Sequence, residues 1–289
     1  MLVISLFRVK QWIKNGFVLV PLVFALQFED WRCLCRTFAA FLAFCFVSSF
    51  IYIINDIADR KVDAAHPKKS KRPIASGKIS IPAAAVAGLL CLFITAGLTA
   101  WLGDSRFLFA VSGYVALNLL YSWRLKYVQL VDVFCIAFGF VLRVYAGAYA
   151  ISVPVSSFLF MVMLFLSLFL ALGKRKSELI NSIDSGTSSR KILSGYSGAT
   201  IDKYITLLAS AVIISYALYT LDASTLAKFG NRLIYSVVFV IYGIFRYMAQ
   251  LDKSGDYDDP TDNLYGDNAL IAVCVAFMAY ILAVGAGII

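Results

Sequence analysis

Three aspartates set three and four residues apart are the first feature with chemical content: Asn55-Asp56-Ile57-Ala58-Asp59-Arg60-Lys61-Val62-Asp63. On a helix that runs through them, Asp56, Asp59 and Asp63 fall at i, i+3 and i+7 and share one face, with Asn55 at its edge. Carboxylates crowded in this way repel one another and require a cation. Hard oxygen ligands suit Mg²⁺, usually in company with substrate phosphates. The alternative is a solvated helix end whose acids pair with nearby Lys and Arg. Aspartates at a membrane boundary are costly, which favours the functional reading.

The next segment is His66-Pro67-Lys68-Lys69-Ser70-Lys71-Arg72-Pro73-Ile74-Ala75-Ser76-Gly77. Two prolines and a glycine predict an ordered turn rather than a helix. Lys68, Lys71 and Arg72, beside a metal site, suit a polyphosphate. A basic loop touching lipid headgroups is the alternative. His66, the one histidine, reads as structural. The chain has no Ser-His-Asp or Cys-His pairing to support nucleophilic catalysis.

These loops need elements to hold them. The chain is 61% hydrophobic and only 15% charged over 289 residues, with mean hydropathy +0.81. That is too little charge to coat a soluble protein of this size, so the bilayer is its solvent. Apolar runs predict nine transmembrane helices near residues 14–28, 37–54, 82–102, 106–122, 128–150, 155–173, 202–221, 232–250 and 267–288. No soluble domain fits between them, so residues 1–289 read as one all-α polytopic membrane domain. The first run lacks a small-residue cleavage site and reads as a mature helix.

The net charge of +9 comes from 26 basic and 17 acidic residues. It is explained by membrane orientation rather than by nucleic acid. The N-terminus and the loops near 55–81, 123–127, 174–201 and 246–266 carry nineteen of the basic residues, and the opposite loops carry five. The positive-inside rule places the first set in the cytoplasm, in a protein of the inner (cytoplasmic) membrane. Most acids lie on the same side, as an active site on that face requires. Of six cysteines, Cys45, Cys91, Cys135 and Cys274 lie in apolar spans and read as small hydrophobes. Cys33 and Cys35 are too close together for an easy disulfide, and no zinc spacing is present.

NDxxDxxxD followed by HPxKxxRPIASG resembles the first signature of the UbiA-type intramembrane prenyltransferase superfamily, and the resemblance extends over essentially the whole chain. It implies a UbiA-like bundle with cytoplasmic catalytic loops. It also implies that Asn55, Asp56, Asp59 and Asp63 bind Mg²⁺ and a diphosphate. The second signature departs from the superfamily pattern. A DxxxD motif is expected after the sixth helix, whereas this chain has Lys174-Arg175-Lys176-Ser177-Glu178. Basic groups there suit an additional anionic substrate group better than a second metal.

Further segments are similar to the decaprenyl-phosphate phosphoribosyltransferase branch: Arg8-Val9-Lys10-Gln11-Trp12-Ile13-Lys14-Asn15, Tyr121-Ser122-Trp123-Arg124-Leu125-Lys126, Gly139-Phe140-Val141-Leu142-Arg143 and Asp258-Asp259-Pro260-Thr261-Asp262. That branch implies phosphoribosyl pyrophosphate as donor and a polyprenyl phosphate as acceptor, for cell-wall or surface glycan precursors. Asp56, Asp59 and Asp63 would be catalytic. Lys10, Lys14, Asn15, Lys68, Lys71, Arg72, Tyr121, Lys126, Arg143, Lys174, Arg175 and Lys176 would contact substrate. Lys10, Trp12 and Lys14, like Tyr121, Trp123 and Lys126, also fit interfacial anchors. Arg143 lies inside a span. Asp132 shares its helical face but sits about three turns away, too far for an ion pair, so Arg143 meets substrate or snorkels to the outer interface. An aromatic prenyltransferase is the alternative function, with a transporter or a lipid-handling scaffold as the non-catalytic ones. A homo-oligomer is compatible with the sequence.

Overall fold

The computed structural model describes residues 2–65, 69–184, 197–251 and 266–289. Every regular element among them is helical. In chain order these are α1 (Leu2–Leu6), a 3₁₀ helix (Val9–Leu19), α2 (Val20–Phe24), α3 (Trp31–Ala58), α4 (Arg60–Ala64), a 3₁₀ turn (Lys69–Lys71), α5 (Ile81–Leu102) and α6 (Ser105–Trp123). A second 3₁₀ turn (Leu125–Tyr127) leads to α7 (Val131–Ala150), α8 (Ser157–Asp184) and α9 (Gly198–Leu221). Then come α10 (Ala223–Phe229), a 3₁₀ stretch (Gly230–Ser236), α11 (Val237–Leu251) and α12 (Asn268–Gly285).

Short polar residues begin the long helices by satisfying their orphan N–H groups. The Asp30 carboxylate accepts from the Arg32 N–H, Ser80 Oγ from that of Ala83, and Ser197 Oγ from that of Thr200. Asp267 accepts from both Ala269 and Leu270. Gly103, at φ 66°, ends α5 in the left-handed conformation that glycine adopts most readily.

Among the described residues, seven helical stretches are long and apolar enough to cross a membrane: Trp31–Ala58, Ile81–Leu102, Val131–Ala150, Ser157–Ile180, Gly198–Leu221, Ala223–Leu251 and Asn268–Gly285. The expected spans 14–28 and 106–122 are not among them. The first is a 3₁₀ helix that gives way to five residues of α-helix at Val20, so hydropathy identified an apolar segment but not its geometry. Long 3₁₀ runs are uncommon, and this one is tied down laterally: Trp12 Nε1 donates to Ser49 Oγ at 3.0 Å, and Asn15 Nδ2 to Ser48 Oγ at 3.2 Å. The other is the 19-residue helix α6, whose Arg106 and Asn118 dilute its hydropathy.

The chain divides into two compact units. The first comprises Met1–Trp123 with Leu142–Pro154. Its core sets the small residues Ala39, Ala40 and Ala43 of α3, with Phe44 and Val47, against Phe107, Ala110 and Tyr114 of α6 and Ala146 of α7. Small side chains let helices approach closely where lipid offers no hydrophobic drive between them. The second unit comprises Arg124–Val141 with Val155–Ile289. Its core joins Val133 and Ala137 of α7, Phe169 and Leu172 of α8, Ile201 and Ile205 of α9, Tyr247 of α11 and Leu270 of α12.

Arg36 closes one end of the first unit. Its Nε donates to the Ala150 carbonyl at 2.5 Å and its Nη2 to the Leu102 carbonyl at 2.7 Å. These are terminal carbonyls of α7 and α5, which have no partners within their own helices. Arg36→Met removes both charged hydrogen bonds, at an expected cost of about 2–3 kcal/mol. Thermal unfolding in detergent checks this, and an unchanged midpoint would contradict it.

Candidate active site

The acidic motif lies where α3 meets α4, within the first unit. The helical hydrogen bonding nearly continues through the junction: the Asp59 N–H donates to the Asn55 carbonyl and the Asp63 N–H to the Asp59 carbonyl, each at 2.8 Å. Asp56 and Asp63 therefore keep the common face expected of them, and each is only 3% exposed. Asn55 and Asp59 are half-buried beside them.

The basic loop is folded back onto this face by its own turn. Arg72 N–H donates to the Lys69 carbonyl at 3.0 Å, and Ser76 N–H to the Arg72 carbonyl at 2.9 Å. Gly77 supplies a positive φ of 72°. Ile74 anchors the loop by packing with Leu6 of α1, Ile53 of α3 and Ala84 of α5. Arg72 is thereby delivered to the acids: its Nη1 lies 3.1 Å from Asp56 Oδ1 and 2.5 Å from Asp63 Oδ2. A second guanidinium arrives from the N-terminus, where Arg8 also pairs with Asp56. Arg8 has φ 49° and ψ 48°, a left-handed conformation that is strained for a residue with a side chain. It lies 4.8 Å from the centre of the Tyr52 ring.

Among the described residues no three His, Cys, Asp or Glu side chains are placed to hold a metal ion. The expected three-carboxylate cluster is thus not assembled as such. Two of its members, Asp56 and Asp63, turn toward Arg72. Their oxygens nevertheless converge on one cationic position, the one Arg72 Nη1 reaches. Two hard carboxylates, completed by substrate phosphate and water, are a donor set that Mg²⁺ accepts.

The remaining sequence candidates separate into groups. Lys10 and Lys71 are exposed, and Lys14 and Tyr121 are half-buried. Lys126 is half-buried, with its Nζ 5.3 Å from the Tyr127 ring centre. Lys68, His66 and the Asp258–Asp262 segment lie outside the described residues. Asn15 and Arg143 meet each other in the core of the first unit: Arg143 Nε donates to Asn15 Oδ1 at 2.8 Å, and Nη2 to Tyr114 Oη at 2.9 Å. The Tyr114 ring lies 4.6 Å from the guanidinium. Arg143 is 6% exposed, so it does not snorkel. It is a buried cation satisfied by neutral oxygens and an aromatic face.

The basic run on α8 is also largely committed to protein partners. Arg175 pairs with Asp132 of α7, the acid expected to share a face with Arg143, and with Glu178. Lys176 pairs with Asp202 of α9 at 2.8 Å. Elsewhere in the second unit, Arg246 bonds Asp267 at 2.6 Å, and that bond, aided by the Leu270 and Ala269 N–H groups, holds the Asp267 carboxyl down at about 2.

Sequence reasoning missed Arg8, Tyr52 and Asp132 as parts of these clusters. Arg8 stands two residues before Lys10 in the basic N-terminal segment, and Asp132 is an acid at the start of an apolar span. What neither revealed was its partner.

The profile of the UbiA prenyltransferase family matches residues 17–261. The decaprenyl-phosphate phosphoribosyltransferase of Corynebacterium glutamicum is 33% identical over 279 residues, covering 95% of this chain and 84% of the relative. The enzyme of the same name from Mycolicibacterium smegmatis is 32% identical, covering 97% and 90%. A solved UbiA homolog from Archaeoglobus fulgidus bound to GPP and Mg²⁺ shares the fold, with a TM-score of 0.73 at 20% identity, over 99% of this chain and 100% of that one. With its apolar helices, its profile match and its full-length relatives, this chain is a multi-pass membrane protein and belongs to the UbiA prenyltransferase family.

Proposed function

We infer that this protein transfers the 5-phosphoribosyl group of phosphoribosyl pyrophosphate to a polyprenyl phosphate, releasing diphosphate. The observation that carries the reading is a pair of buried carboxylates, Asp56 and Asp63, crowned by Arg72 and Arg8, in a chain whose second motif is basic. The relatives named decaprenyl-phosphate phosphoribosyltransferase, matched over 84% and 90% of their length, support it. The reading treats residues 1–289 as one functional domain of nine crossings, with the N-terminus and the acidic motif cytoplasmic. The charge asymmetry between alternate loops and a family profile that runs through both units support that arrangement.

Asp56 and Asp63, with Asp59 and Asn55 beside them, would hold Mg²⁺, which when bound neutralises charge developing on the leaving diphosphate. Arg72, Arg8 and Lys71 supply fixed positive charge on the same side, where the departing group gains it. The bond from C1 of the ribose to the diphosphate oxygen breaks, and a phosphate oxygen of the lipid forms the new bond to C1 from the opposite face. Inversion at C1 follows. The lipid phosphate is already ionised at neutral pH, so no general base is required, in keeping with a chain that has a single histidine.

The test uses the purified protein in detergent with radiolabelled phosphoribosyl pyrophosphate, polyprenyl phosphate and Mg²⁺. Label is expected to enter the organic phase, and to fail to do so with EDTA or with Asp59→Ala. Transfer that is indifferent to EDTA would overturn the metal assignment.

A further inference from the structure

We propose that Asp132 is a positioning residue for the basic turn of α8: it holds Arg175 inside the protein as a counter-ion, so that substrate phosphate is met by the neighbouring lysines and not by Arg175. This rests on the phosphoribosyltransferase reading above, and it changes which residues at the second motif touch substrate.

Arg175 is 1% exposed, one of the largest fully buried side chains of the protein. Its Nε lies 3.3 Å from Asp132 Oδ2, and Nη1 bonds Glu178 Oε2 one helical turn on. Asp132 is itself fully buried at the start of α7. A guanidinium enclosed between two carboxylates projects little positive potential outward, and withdrawing it toward a phosphate would leave Asp132 as an unpaired buried charge. The turn is fixed from another side as well. Tyr247 of α11 packs so closely on Gly173 that a Cβ there would lie 2.7 Å from its hydroxyl.

Lys174 and Lys176 flank Arg175 and leave the helix about 100° to either side of it. Both are only half-buried. The carboxylate facing Lys176 belongs to Asp202, whose side chain is 53% exposed, so that pair is one that solvent screens and a phosphate can displace. The division of labour is then clear: Asp132 and Arg175 set the turn, and the lysines on either side reach the anion.

The experiment is a charge-neutralising cycle of Asp132→Asn, Arg175→Gln and the double variant, with Asp132→Glu as the conservative control. Each is read for unfolding midpoint in detergent and for KM and kcat with donor and acceptor varied separately. Either single neutralisation is expected to lower the midpoint by about 5 °C or more and to raise KM for a phosphorylated substrate about fivefold or more, with kcat changed less. The double variant, which removes both charges of the fully buried Asp132–Arg175 pair and leaves only the part-exposed Glu178 without its arginine, is expected to recover both. Recovery of the midpoint with KM still raised as far as in Arg175→Gln would show that Arg175 touches substrate, and would overturn the proposal. Single variants with unchanged midpoints would overturn it too. If the wild-type chain transfers no phosphoribosyl group, the functional reading fails, while the midpoints still report on the ion pair.

Discussion

Asp56→Asn is expected to lower kcat/KM for phosphoribosyl transfer by about 10³-fold or more. The substitution keeps the shape of the side chain and removes its charge. Asp56 is the residue on which two guanidiniums meet, from Arg8 at the N-terminus and Arg72 in the loop after α4. It is also one of the two buried carboxylates whose oxygens converge. A neutral amide there weakens metal binding, leaves Arg8 without the acid that aims it and takes one of two acids from Arg72. The fold should survive, because both arginine side chains are partly exposed and Arg72 retains Asp63. Initial rates and a thermal scan on the same preparation check both halves. A rate within tenfold of wild type, or a protein that no longer folds, would contradict the argument.

The second large effect concerns architecture. In Gly147→Ala, the added Cβ would stand 2.0 Å from the Val18 carbonyl oxygen, 2.9 Å from its carbon and 3.2 Å from its Cα. All three are backbone atoms, so no rotamer change relieves the clash. The 3₁₀ segment Val9–Leu19 must move bodily away from α7, taking Asn15 from Arg143 and straining the Trp12–Ser49 bond. A destabilisation of about 3 kcal/mol is expected, with poor yield in detergent. Gly113→Ala is the matched control. Its Cβ would meet only the Leu142 side chain, at 3.9 Å, and replacing a helical glycine by alanine then stabilises by up to about 1 kcal/mol. Equal behaviour of the two variants would show that the close approach at Gly147 does not constrain the fold.

Sequence reading worked where the determinants are local. The common face of Asp56 and Asp63 is set by the helical repeat, and the turn that returns Arg72 is written in Pro73 and Gly77. Both could be seen without a fold. The partners of Arg8 and Arg175 could not, because an ion pair between residues of different helices depends on which faces pack. Asp132 shares a helix with Arg143, yet its partner Arg175 lies on α8. Arg143 illustrates the same limit. A cation within a span suggests substrate or snorkelling, and only packing against Asn15, Tyr114 and Phe44 reveals a third arrangement. Hydropathy located the apolar segment near residue 14 but is blind to the difference between an α and a 3₁₀ backbone.

The most direct test of the central claim is a paired assay on one preparation of the full-length protein. One reaction contains phosphoribosyl pyrophosphate and a polyprenyl phosphate, the other a polyprenyl diphosphate and an aromatic acceptor, both with Mg²⁺. Mass spectrometry of the lipid extract identifies the product, and the configuration at C1 of the ribose is read by NMR. The account predicts a polyprenyl-phosphoryl ribose 5-phosphate, inverted at C1, in the first reaction and no product in the second. A prenylated aromatic in the second, with nothing in the first, would contradict it and make the protein an aromatic prenyltransferase.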